Sequence, residues 1–151
     1  MYFRTRYGVI ADKEWLYKLY CSTMRLYVEQ TWGWDAEFQR SGFQTLHPTR
    51  FRIVIVKDDD VGAYLVNEEN GHYWLKMLLV GCEMQGKGLG TAIIKNIQAE
   101  AENGGKSLKL SVLKVNPAKE FYSRLGFCVY DQDDSVFKME WDYNKVLRST
   151  A

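Results

Sequence analysis

The spacing of apolar residues changes period several times along this chain, and each change marks an element. Phe3 to Ile10 fits a short first strand. Asp12 stands where a helix N-cap is expected, and Leu16, Leu19, Tyr20, Thr23 and Tyr27 follow at helical spacing. The Trp32-Gly33-Trp34 turn interrupts that face, after which Asp35 predicts the cap of a second short helix ending near Gly42. From Phe51 the period shortens to that of strands. Phe51–Val56, Val61–Val66 and His72–Val80 are predicted strands, separated by the polar turns Asp58-Asp59-Asp60 and Asn67 to Gly71. Hairpins of this kind force antiparallel pairing.

A glycine-rich loop, Gly81 to Gly90, then opens a strongly helical stretch. Leu89, Ile93, Ile97 and Ala101 fall at i+4 intervals, and Gly104-Gly105 ends the helix. Ser107 to Val115 is a predicted strand. Asn116-Pro117 starts a short helix, with Asn as N-cap and Pro at the first helical position, and Gly126 stops it. Val136 to Tyr143 is the last predicted strand, and the chain is polar from about residue 144. The resulting order, β-α-α-β-β-β-α-β-α-β, places the protein in the α/β (α+β) class, as a mixed sheet with helices on its faces. The strand-helix-strand unit from Tyr73 to Val115 predicts one parallel, right-handed crossover. No repeat, low-complexity segment or linker divides the sequence, so residues 1–151 are expected to form a single domain.

Composition narrows the function classes. Apolar residues make up 46% and charged residues 26%, which suits a globular fold rather than a disordered or fibrous one. The formal net charge is +1, with no block of like charges, so neither nucleic acid nor an anionic membrane is an expected partner. The apolar run from Met77 to Cys82 is too short to span a bilayer, and no apolar stretch follows the charges of Met1 to Arg6, so no secretory signal is expected. Cys21, Cys82 and Cys128 are odd in number and widely spaced, a usage that points to reduced thiols and a cytoplasmic protein. His47 and His72 offer no zinc-ligand spacing, so no metal is expected. Aromatic residues reach 15%, more than a small core requires, so some rings are expected to line a pocket or an interface, and a homodimer is a reasonable expectation.

The strongest chemistry lies in Met84-Gln85-Gly86-Lys87-Gly88-Leu89-Gly90-Thr91. Alternating glycines between a strand and a helix let the backbone turn tightly and approach a ligand closely. The first helical amides point out unpaired and the helix dipole adds partial positive charge, which suits a pyrophosphate. A P-loop requires Ser or Thr after Gly81-x4-Gly86-Lys87, where this chain has Gly88. The dinucleotide pattern lacks its third glycine, because Leu89, Gly90 and Thr91 follow Gly88. What remains is Gln85-x-x-Gly88-x-Gly90. Further on, Asn116-Pro117-Ala118-Lys119-Glu120-Phe121-Tyr122-Ser123-Arg124-Leu125-Gly126-Phe127 combines an Asn, an Ala, a Tyr on a short helix and a closing Leu-Gly-Phe.

These two motifs, in this order and at this separation, resemble the hallmarks of the GNAT superfamily of N-acetyltransferases. The resemblance is firm from about Phe51 to Phe127 and extends to Tyr143. It implies a mostly antiparallel central sheet of six to seven strands, flanked by about four helices, with splayed fourth and fifth strands. It implies acetyl-CoA as cosubstrate and a small-molecule or peptide amine as acceptor, attacking directly in a ternary complex. Leu78, Leu79 and Val80 would offer backbone groups to the pantetheine arm. Gln85, Gly86, Lys87, Gly88, Leu89, Gly90 and Thr91 would hold the pyrophosphate, and Asn116 would hydrogen-bond the arm, although capping alone would also account for it. A backbone N–H near Leu79 would serve the oxyanion.

Tyr122 is the candidate proton donor to the leaving thiolate, because a phenol of pKa about 10 is protonated at neutral pH; packing beside Phe121 and Leu125 is the competing role. The stretch His72 to Met77 carries no carboxylate, which leaves the general base open between a water relay and Glu29, Asp35, Glu83 or His72. In this family the first two helices shape the acceptor site, so Glu29, Trp32 and Trp34 are candidate acceptor-binding residues through ring faces and a carboxylate; the two Trp residues would equally seal a helix junction. The reading from a different class is a non-catalytic acyl-CoA-binding regulatory module.

Overall fold

The computed structural model describes residues 1–145. The polar tail expected from about residue 144 therefore lies, beyond Lys145, outside the described residues. The strands are β1 (Arg4–Tyr7), β2 (Arg52–Val56), β3 (Asp59–Glu69), β4 (His72–Val80), β5 (Ser107–Leu113), β6 (Cys128–Gln132) and β7 (Val136–Trp141). The helices are α1 (Lys13–Trp32), α2 (Ala36–Gln44), α3 (Leu89–Asn103) and α4 (Ala118–Arg124), with short 3-10 turns at Ile10–Asp12, Pro48–Arg50 and Cys82–Met84. The strands form one sheet in the order β1-β2-β3-β4-β5-β7-β6. β1 with β2, β2 with β3, β5 with β7 and β6 with β7 are antiparallel. β4 and β5 are parallel, from His72 opposite Ser107 to Leu75 opposite Leu110, as the strand-helix-strand pattern predicts. That register joins the N-terminal halves of the two strands.

The chain divides into two compact units, Met1–Val66 with Met77–Gly90, and Asn67–Lys76 with the chain from Thr91 onward. The first unit is built on an aromatic core. Leu16, Tyr17 and Leu19 of α1 and Phe43 of α2 pack with Phe51, Ile53, Ala63, Leu65 and Leu79. Ring centroids lie 5.5 Å apart for Tyr17–Phe43, 5.1 Å for Tyr20–Phe43 and 5.9 Å for Phe43–Phe51. Much of the aromatic surplus is thus spent inside, where each large side chain contributes about 1.5–3 kcal/mol by burial. In the second unit the buried side chains alternate along β5 from Leu108 through Leu110 to Val112, with Leu113 buried as well, and along β7 at Met139 and Trp141, with Ile97 and Ala101 of α3 also buried.

Several local features differ from the sequence expectations. β6 carries no alternation signal because all five of its residues are exposed. α2 runs through Gly42 to Gln44. The turn before β3 is tighter than three aspartates suggest, because Lys57 adopts a left-handed φ of 54° and Asp59 and Asp60 already pair with Val56 and Ile55. Asp12 occupies the N-cap position of α1, but its side chain makes no cap bond to that helix.

The Asp12 carboxylate instead accepts from the Val9 N–H at 2.8 Å and from both Arg6 Nη atoms at 2.8 and 3.0 Å. Arg6 also donates to Asp60 at 2.9 Å, so one guanidinium links β1, the Ile10–Asp12 turn and β3. The Arg6 hydrogen bond holds the Asp12 carboxyl below its usual range, against the opposing effect of burial, with help from Val9 N–H. Asp12→Ala is expected to lower stability by about 1–3 kcal/mol at neutral pH. A depressed carboxyl pKa gives stability that is complete above the unfolded value and is lost on acidification. The gap between wild type and variant should therefore hold down to about pH 4 and narrow below it, as read by urea denaturation at each pH.

Candidate active site

The loop between β4 and α3 belongs to the first unit. After β4 the chain makes the 3-10 turn Cys82–Met84, closed by Met84 N–H to the Gly81 carbonyl at 2.9 Å. Gln85 Nε2 donates to the Val80 carbonyl at 2.9 Å and so fastens the loop to the end of β4. Gly86 and Gly88 have φ of 73° and 87°, values that side chains resist, and nothing lies within 4 Å of where either Cβ would stand. Gln85, Gly86, Lys87 and Gly88 are exposed, while Leu89 is fully buried and anchors the first turn of α3 with Gly90 and Thr91. No acidic residue occupies that turn. The arrangement presents bare backbone, helix-start amides and the Lys87 ammonium, which together suit a polyphosphate. On β4, Leu79 is fully buried and Leu78 and Val80 are partly so.

The second unit holds Asn116 and Tyr122. Asn116 N–H donates to the Leu113 carbonyl at 2.9 Å, and its Oδ1 accepts from Ala118 N–H at 2.9 Å. Because the oxygen takes that bond, the Nδ2 amide is the end left to meet a ligand acceptor. Asn116 caps from one position earlier than expected, since Pro117 stands just outside α4 rather than inside it. Tyr122 is 9% exposed, with Phe121 and Phe127 rings at 5.2 and 5.6 Å. Burial pushes its pKa well above the ordinary phenol value, so the hydroxyl stays protonated through the neutral range and beyond.

The acceptor candidates divide. Trp32 is 64% exposed at the end of α1, and no ring contact joins it to Trp34 among the described residues. Trp34 packs on Tyr20 at 6.1 Å, and the Arg25 guanidinium sits 5.2 Å from its ring centroid. Glu29 is an exposed partner of the same Arg25 at 4.0 Å. Among the candidate bases, Asp35 caps α2 by accepting from Phe38 N–H, and His72 pairs with Glu69 at 3.2 Å at the start of β4. Glu83 folds back over Gly81 at the other end of that strand. Among the described residues no group of His, Cys, Asp and Glu is placed to hold a metal ion, and no helix is long and apolar enough to cross a membrane.

A family model described as an acetyltransferase (GNAT) domain matches residues 44–140. The chain belongs to the GNAT acetyltransferase family. Membership makes the protein an acetyl-CoA-dependent acyltransferase. Solved structures agree at the level of fold. The PaiA N-acetyltransferase of Thermoplasma acidophilum, solved in complex with coenzyme A, superposes with a TM-score of 0.77 at 20% identity, covering 95% of this chain and 100% of that one. The apo form of YjaB from Escherichia coli gives 0.73 at 18% identity over 93% and 98% of the two chains. An acetyltransferase from Thermus thermophilus gives 0.72 at 19% identity over 93% and 96%. No curated protein matches the sequence.

One residue of the GNAT domain escaped the sequence reading. Gln98, on the apolar face of α3, is the one polar side chain in the buried set of the described residues. Its Nε2 donates to the Leu125 carbonyl at 2.9 Å and holds the turn that ends α4, just after Tyr122. A polar residue interrupting the Ile93, Ile94, Ile97 and Ala101 face was the available signal. Gln98→Leu removes the donor from a partly buried carbonyl and is expected to lower stability by about 1–3 kcal/mol, measured by chemical denaturation.

Proposed function

We propose that this GNAT protein transfers the acetyl group of acetyl-CoA to a primary amine by direct attack in a ternary complex, acting as one acetyltransferase domain over residues 1–151. The observation that carries the reading is the loop of Gly86 and Gly88, two left-handed positions with open space around them at the head of a long helix. Gln85 through Thr91 hold the pyrophosphate through main-chain amides, and Lys87 adds charge. The backbone of Leu78, Leu79 and Val80 meets the pantetheine amides, and Asn116 Nδ2 donates to the same arm.

The neutral amine nitrogen attacks the thioester carbonyl carbon. A C–N bond forms, the carbonyl oxygen becomes an oxyanion met by a β4 N–H near Leu79, and the C–S bond then breaks. The thiolate leaves with the sulfur electron pair and takes a proton from Tyr122, whose phenol is restored by the proton the amine gives up to solvent. Glu29 and Trp32 contact a small-molecule or peptide acceptor near the end of α1, with Trp34 behind Arg25. Reduced Cys21, Cys82 and Cys128 suit a cytoplasmic setting.

The test is thiol release from acetyl-CoA across a panel of polyamines, amino acids and peptides. Amine-dependent release is expected, with Tyr122→Phe lowering kcat about 100-fold while coenzyme A affinity stays within about twofold. Unchanged turnover of a chemistry-limited acceptor would remove Tyr122 from the mechanism. Tight cofactor binding with no thiol release across the panel would instead favour a regulatory module.

A further inference from the structure

The start of β3 is irregular in a way that bears on β4. The β2–β3 register passes from Val54 opposite Gly62 to Ile55 opposite Asp60, which leaves Val61 as an extra, bulged residue. The Val61 carbonyl accepts from Gly81 N–H at 2.8 Å, tying this bulge to the end of β4. Beside it, a Cβ on Gly62 would stand 2.7 Å from the Leu79 carbonyl oxygen and 3.5 Å from Val80 Cα. Real Cβ atoms do not approach a backbone oxygen so closely, and a strand backbone cannot yield as the tip of a flexible side chain does. Gly62 is not among the glycines with positive φ, so conformation does not require glycine there. The approach of Leu79 does.

A peptide unit is planar and trans, so its C=O and N–H point in opposite directions. With the Leu79 carbonyl leaning on Gly62, the Val80 N–H of the same peptide is turned away from Gly62. We infer that Gly62 is a positioning residue for acetyl transfer: its missing side chain lets the Leu79–Val80 peptide seat against β3, so that the Val80 N–H is aimed as the donor to the thioester oxygen. This rests on the proposal that a β4 amide near Leu79 stabilises the oxyanion, and it names that amide. An oxyanion donor acts through placement, and an error of about 1 Å costs about 100-fold in rate. A methyl group at position 62 forces the Leu79 carbonyl to give way by a few tenths of an ångström, a fraction of that error.

The experiment compares wild type with Gly62→Ala at low temperature in saturating cofactor, where ligand binding supports the fold. Three readouts are taken: coenzyme A affinity, kcat with a reactive amine, and the carbonyl stretch of bound, isotope-labelled acetonyl-CoA, an unreactive ketone in place of the thioester. The expected result is a coenzyme A affinity within about threefold of wild type and a kcat reduced about 10-fold. The carbonyl stretch, shifted to lower frequency in wild type, should move back towards its solution value in the variant. A Gly62→Ala protein that keeps both kcat and the shifted stretch overturns the inference. So does one that fails to fold even with cofactor, because Gly62 would then serve the fold. If wild type itself shows no shift on binding the ketone, the β4 oxyanion reading fails instead, independently of the variant.

Discussion

The passage from β4 into α3 is controlled by places where the backbone must come closer, or turn harder, than any side chain permits. At Gly86 and Gly88 the chain takes two left-handed steps, each unfavourable for an L-residue by roughly 1–2 kcal/mol. At Gly62 the neighbouring strand presses its Leu79 carbonyl into the space of a Cβ. Between these points Gln85 ties the loop to the Val80 carbonyl and buried Leu89 anchors the helix start. The consequence is an exposed glycine loop ahead of α3 and a Leu79 carbonyl seated close against Gly62. Both are polar backbone features, and the proposed holding of phosphates and of an oxyanion rests on them.

The sequence disclosed features that are local. The β4 bounds, the loop, the Asp35 cap and the Asn116 cap each rest on residues within a few positions of one another, and the structure has them there with a shift of one residue at Pro117. Features whose cause is distant in the chain stayed hidden. Gly62 looks like an ordinary weak point in a strand until Leu79 is placed beside it. Asp12 is a local exception: it has the right residue type for a cap, but the neighbouring Arg6 and Val9 claim its carboxylate. Trp34 has a ring suited to a cation, and Arg25 of its own chain stands over it. β6 is an edge strand exposed along its whole length, so no buried side leaves a period in the sequence. The aromatic surplus was visible, while its use in the Tyr17–Tyr20–Phe43–Phe51 core depends on α1, α2 and the residue before β2 meeting.

The electrostatics divide along the same lines. Tyr122 sits among rings that disfavour its phenolate, so it enters the proposed reaction as a proton holder and hydrogen-bond donor rather than as a base. The exposed glycine loop carries Lys87 and leads into a helical turn without acidic side chains, a setting that favours an anion. The ion-pair network of Arg6 with Asp12 and Asp60 links β1 to β3.

The most direct measurement is a calorimetric titration of the purified protein with coenzyme A, alongside Gly88→Val. A bulky side chain at φ 87° must rearrange the turn that bares the helix-start amides. Saturable one-site binding to wild type is expected, with affinity weakened at least about tenfold in a variant that remains folded. Absence of binding heat with wild type, or equal affinity for the two proteins, would contradict that expectation.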